Sequence, residues 1–89
     1  MSDILGMDVT AARDMGRTFG SSADQIAQTA QQLSGQLEAV TWTGTDGNQF
    51  REQWSSVHVP SLNRLCEELR QASTSINGQA DQQEQTSQS

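Results

Sequence analysis

The sequence predicts an all-α chain, a helix-turn-helix hairpin of two long antiparallel helices that dimerises into a four-helix bundle. Apolar residues recur every three or four positions through two long segments, the period that places them on one face of a helix. A short stretch, Trp42-Thr43-Gly44, separates those segments near the middle of the chain and leaves room only for a tight corner. The 89 residues are 33% hydrophobic, with a mean hydropathy of −0.67. That is too little for a broad core, so the apolar surface must be concentrated in seams and shared with a partner.

The first helix is expected over about residues 9–40, with Asp8 as its N-cap. Its apolar positions are Ala12, Met15, Phe19, Ala23, Ile26, Ala30, Leu33, Leu37 and Val40. Met15, Ile26 and Leu33 project within about 20° of one another at 100° per residue, a narrow seam of the kind that packs against another long helix. Gly16, Gly20, Ser21 and Ser22 weaken this helix. Each interior glycine costs about 1 kcal/mol relative to alanine, so the helix needs tertiary contacts. The Gly16–Gly20 spacing has Arg17 inside it and no apolar span around it, so it reads as tolerance or a close helix crossing and not as a membrane-dimer motif.

The corner occupies about residues 41–45. Thr43 or Thr45 can cap the helix that follows, with Asp46 near its positive N-terminal end. The second helix is expected over about residues 46–77, on a stripe of Phe50, Trp54, Val57 or His58, Leu62, Leu65, Leu69, Ala72 and Ile76. Pro60 falls inside this stripe, where it removes a donor and crowds the preceding turn. Trp54 and Leu65 nevertheless lie about 20° apart on a straight helix, so one helix kinked near Pro60 is expected. Asn77-Gly78 reads as its stop. Residues 79–89 contain one alanine and no large apolar side chain, which predicts a flexible polar tail or a helix formed only on a partner.

The expected hairpin or dimer interface is thus Met15, Phe19, Ile26, Leu33, Leu37, Val40, Phe50, Trp54, Leu62, Leu65, Leu69 and Ile76. Eleven acidic residues against five basic ones give a formal charge of −6, which argues against a nucleic-acid partner. The cations are all arginine, Arg13, Arg17, Arg51, Arg64 and Arg70, and are scattered among acids. They form no polybasic membrane site and are expected on a solvated face. No stretch reaches membrane-spanning length, so stable membrane insertion is not expected. Met1–Asp8 lacks the basic start and apolar run of a general signal peptide, and export is expected to use another route.

No catalytic, metal or cofactor site is expected. His58 and Cys66 are the only pair that could begin a nucleophilic set, and eight residues apart on one helix they are separated by about 12 Å. One cysteine and one histidine do not build a zinc site, and Asp46-Gly47-Asn48 does not continue into a calcium loop. Glu67 and Glu68 point about 100° apart. His58 reads as a surface residue beside the kink. Cys66 reads as a small hydrophobe at the seam's edge, with an intermolecular disulfide as the alternative in an oxidising space.

A helix ending in Val40-Thr41-Trp42-Thr43-Gly44, then Asp46, Phe50 and Trp54, then Val59-Pro60-Ser61-Leu62, resembles the WXG family of small type VII (Esx) secretion substrates. These proteins are similar to the early secreted antigenic target of mycobacteria, and the resemblance spans nearly the whole chain. It implies head-to-tail pairing, with itself or with a second WXG-like hairpin protein, into a four-helix bundle. It also implies secretion in folded form by a membrane-bound translocase ATPase, from a cytoplasmic pool. Trp42 and Gly44 would then form the export turn, lying beside the end of the partner's second helix, where a Tyr-x-x-x-Asp/Glu element completes the signal. The chain has no tyrosine, so neither Asp81 nor Glu84 takes that acidic position. The second half of the signal is expected from another polypeptide or a divergent tail. A membrane-active amphipathic effector and a cytosolic helical adaptor are the alternatives, the first disfavoured by the acidic charge.

Overall fold

Asp8 starts the first arm. Its backbone is extended (φ −82°, ψ 106°) and its carboxylate accepts from the Ala11 N–H at 3.1 Å, satisfying one of the donors that a helix N-terminus leaves open. Helix α1 runs Val9–Ala39 and ends as Val40 turns extended, its N–H still donating to the Gln36 carbonyl at 3.0 Å. The second arm is continuous: α2 is Thr45–Gln53, a π turn covers Trp54–His58, and α3 is Val59–Gln88. This computed structural model describes residues 6–88. The readings of Met1–Leu5 and of Ser89 lie outside them. The arms pack antiparallel into a rod with principal extents of 66 × 17 × 14 Å.

The irregularity near Pro60 takes the form of the π turn, in which the Val59 N–H donates back to the Trp54 carbonyl, five residues away. Pro60 has no N–H to give, and its ring needs room where a regular helix would place the carbonyl of the previous turn. Widening the helix immediately before the proline supplies that room. Hydroxyls occupy carbonyls on both sides: Ser56 Oγ donates to Glu52 O at 2.6 Å and Ser61 Oγ to Val57 O at 2.7 Å. The helix is therefore not divided at Pro60.

Small residues hold the two arms together. Ala12, Gly16, Ala23 and Ala30 are buried on α1, facing Cys66 and Ala80 on α3. Among the described residues no side chain larger than cysteine is buried. Such a seam lets the axes approach toward the short end of the roughly 8–10 Å range for packed helices. Cross-arm bonds to backbone confirm the closeness. Ser73 Oγ donates to the Gly16 carbonyl at 2.7 Å, and the Cys66 thiol to the Ala23 carbonyl at 3.4 Å. A Cβ on Gly16 would sit 2.7 Å from Asn77 Oδ1, so this glycine serves the close crossing. Cys66 is free and buried in the seam.

The expected stop at Asn77-Gly78 and the flexible tail from residue 79 are corrected, because α3 continues through Gln88. Ala80 is fully buried against the first arm, and Arg13 reaches across to Asp81 at 2.8 Å and Glu84 at 3.6 Å. The hydrogen bond to Asp81, foremost, raises the Arg13 guanidinium above its already high ordinary pKa. A helix packed through alanines needs no large side chain to keep its register, so one alanine at the correct phase extends the seam.

Candidate interaction face and corner

Large apolar residues lie beside the seam instead of in it. On α1 the stripe Met15, Phe19, Ile26, Leu33, Leu37 and Val40 is offset from the buried small residues by about 60° on average around the helix. On α3 the mean direction of Leu62, Leu65, Leu69 and Ile76 is offset from that of Cys66, Ser73 and Ala80 by about 50° in the same rotational sense. In an antiparallel pair, similar offsets of that kind bring both stripes to one side of the hairpin. Open apolar clefts follow this side. One is lined by Ile26, Leu33, Trp54 and Leu62 among others, and the next by Leu33, Leu37, Val40, Trp42, Phe50 and Trp54.

Met15, Leu33, Val40, Phe50 and Leu65 are 42–50% exposed, and Val57 beside them 54%. Phe19, Ile26, Leu37, Trp54, Leu62, Leu69 and Ile76 are half-buried. The twelve residues expected at an interface therefore share one outer face of the hairpin, and none of them is buried within the chain. Sequence periodicity located this face but did not separate it from the seam of small residues next to it. Ala12, Gly16, Ala23 and Ala30, spaced by four and seven, carried the signal that could have done so.

At the closed end, Trp42 is 40% exposed and its ring meets Phe50 at a centroid distance of 5.5 Å and an interplanar angle of 39°. This tilted geometry is favourable for aromatic pairs. Gly44 has φ +100° and ψ 179°, a region essentially closed to residues with a Cβ. It caps α2 without any side-chain hydrogen bond, so neither Thr43 nor Thr45 is the cap expected from sequence. Asp46 stands in the first turn of α2, where its charge suits the helix dipole.

Gly47 answers a different need. A Cβ there would lie 2.5 Å from the Trp42 carbonyl oxygen and 2.9 Å from its Cγ, so Trp42 rests directly on the Gly47 backbone. Arg51, four residues on, donates Nη1–H to the Trp42 carbonyl at 2.8 Å, Nη2–H to Val40 O at 3.2 Å and Nε–H to Leu37 O at 3.4 Å. The reading of the arginines as a solvated face holds for exposed Arg17, Arg64 and Arg70 and is corrected for Arg13 and Arg51, which are half-buried. Arg51 closes the corner, Arg13 and Arg70 bridge the arms, Arg70 to Asp24 at 3.2 Å, and Arg17 pairs with Asp14 within α1. Nothing in the local sequence distinguishes Arg51, because its partners are backbone carbonyls 9 to 14 residues away.

Trp54 links the face back to α1. Its Nε1–H donates to Ser34 Oγ at 2.8 Å, and its ring lies 5.9 Å from that of exposed His58. The polar end of the indole is thus satisfied inside the hairpin while its apolar body contributes to the cleft. Among the described residues no group of three or more His, Cys, Asp and Glu is placed to hold a metal ion, and no helix is long and apolar enough to cross a membrane. Compared with protein-family models, characterised proteins and solved structures, the chain matches none of them.

Proposed function

We propose that this chain is a non-enzymatic, secreted protein of the WXG type VII kind, which pairs through its outer apolar face into a four-helix bundle and offers the Trp42 corner for export recognition. Its partner is itself or a second WXG-like hairpin protein, and a type VII translocase ATPase exports it from a cytoplasmic pool. The observation that carries this reading is the face itself. Twelve large apolar residues line one side of a rod, running from Met15 near the open end to Phe50, which packs on Trp42 at the corner.

The surface area supports pairing. The chain exposes 6457 Å², whereas a compact globular chain of 9.7 kDa exposes about 5,100 Å². The excess of roughly 1,300 Å² reflects the 66 × 17 × 14 Å rod, whose long sides lie open to a partner. Bundle formation is the ordinary way for amphipathic hairpins to cover such a surface.

Export is tested in culture medium with and without the translocase. Trp42→Ala should leave helicity and pairing intact and reduce the secreted fraction at least about tenfold, the loss expected when one exposed aromatic anchor is removed from a recognition surface. Normal export of that variant would sink the recognition claim. Because the chain contains no tyrosine, export should also depend on a companion bearing the tyrosine element. Undiminished export without any companion would refute that dependence and place the rest of the signal within this chain.

A further inference from the structure

We propose that Arg51 is the positioning residue of the corner: its guanidinium holds the backbone at Leu37, Val40 and Trp42 so that the Trp42 ring is already fixed before any partner arrives. Helix α1 ends without a basic residue in its last turn, although carbonyls at a helix C-terminus lack intrahelical donors and carry partial negative charge. Arg51 brings the missing charge from the other arm. One fork reaches the Leu37 carbonyl in the last turns of α1, the Val40 carbonyl just beyond it and the Trp42 carbonyl in the corner. A lysine ammonium is a compact point charge with freely rotating donors, whereas the planar guanidinium presents its N–H groups in fixed directions.

The remaining parts of the mount sit on the same stretch of α2. Gly47, one turn before Arg51, leaves the notch in which the Trp42 backbone and Cγ rest, and Phe50 packs against the indole at 5.5 Å. Trp42 is thus held below by Gly47, beside by Phe50 and at its carbonyl by Arg51. At 40% exposure it still presents surface outward. Pre-setting the ring removes an ordering cost that would otherwise weaken binding. The proposal rests on the export reading above only for its functional consequence. The positioning itself is a property of the free protein.

The test labels the full chain with 5-fluorotryptophan and records fluorine NMR, with the Trp42 and Trp54 resonances assigned by Trp54→Phe. In Arg51→Gln the Trp42 resonance should move toward its unfolded position and sharpen, while the Trp54 resonance, the circular dichroism and the native mass stay unchanged. Arg51→Lys should lie between the wild type and Arg51→Gln. Gly47→Ala, which keeps the charge but fills the notch, should displace the same resonance. If the fixed pose falls to about a tenth of molecules, recognition weakens about tenfold, and secretion of Arg51→Gln should drop by that factor.

An unmoved Trp42 resonance in Arg51→Gln would overturn the proposal, whatever Gly47→Ala shows. So would joint displacement of both tryptophans with loss of the paired mass, which would make Arg51 a general structural residue. Displacement of Trp42 with full export, while Trp42→Ala is blocked, would remove the functional consequence. Normal export of Trp42→Ala strikes the export reading instead and leaves the fluorine result to decide the positioning.

Discussion

The seam between the arms and the apolar face beside it are made from opposite kinds of residue. The seam is alanine, glycine and cysteine, closed within the chain, with Ala23 and Ala80 fully buried. The face is leucine, phenylalanine and tryptophan, and its members remain 40% exposed or more at Leu33, Leu65, Phe50 and Trp42. Small residues gain little from burial individually, because the hydrophobic term scales with apolar area at roughly 25 cal/mol per Å². They do allow two helices to approach closely enough for Ser73 and Cys66 to bond the opposite backbone. The large side chains hold most of the transferable area, and the hairpin covers only part of it: Leu33, Phe50 and Leu65 keep 42–45% of their surface open. The seam therefore fixes how closely the arms approach, while the face keeps an uncovered apolar remainder beside it.

The strongest way to break this distinction is to place bulk in the seam. Ala23 has no free surface and its carbonyl receives the Cys66 thiol. Ala23→Leu should force the arms apart and destabilise the chain by up to about 3 kcal/mol, the upper end of overpacking costs. Urea denaturation followed by circular dichroism measures the loss. An unchanged midpoint would mean that the arms are not in close contact at this position.

A charge on the face should do the converse. Leu33 borders both clefts and is 44% exposed, so Leu33→Asp leaves the seam untouched. It should weaken pairing by about 2 kcal/mol per chain, the transfer term for a leucine side chain, or about thirtyfold. Sedimentation across a dilution series would show the dissociation while helical content at high concentration is retained. If Leu33→Asp instead melts the hairpin with no change in association, the face belongs to the fold and not to a partner.

What was legible in the sequence follows from the same contrast. Periodicity of large residues locates both arms, the corner and the face, because a stripe of Leu, Ile, Phe and Trp dominates any hydrophobic pattern. It cannot weigh alanines, which are good helix formers everywhere, so Ala12, Ala23 and Ala30 merge with the larger apolar residues into one stripe and do not stand out as a separate seam. The end of α3 is hard to read for the same reason, since Ala80 is its one apolar seam residue among the described residues. Pro60 announced an irregularity, and phase continuity across it kept the helix whole. Arg51 was invisible for another reason: its acceptors are backbone carbonyls, which have no sequence identity, and only folding brings them within reach of its guanidinium. Gly44 is recognisable as a corner glycine, but Gly47 is required by the Trp42 backbone above it, which no local motif reveals.

The end of α3 offers the finest division between the two kinds of contact. Among the described residues, Ala80 is buried in the seam, Gln83 is half-buried beside it, and Arg13 reaches across to Asp81 and Glu84. Exposed ion pairs contribute little to global stability, so Arg13→Gln should leave the denaturation midpoint in place. Its effect should be local. Amide exchange from Asp81 to Thr86 should quicken about two- to fivefold, the range set by an exposed pair in a fraying segment, with Asn77 and residues before it unchanged. If fraying instead ran back through Gly78, the Asn77-Gly78 pair would be acting as a latent stop held closed by one arginine. If exchange stayed as slow as in the wild type, Ala80 alone would suffice, and a seam of small residues would be able to order a polar glutamine-rich helix without help from charge.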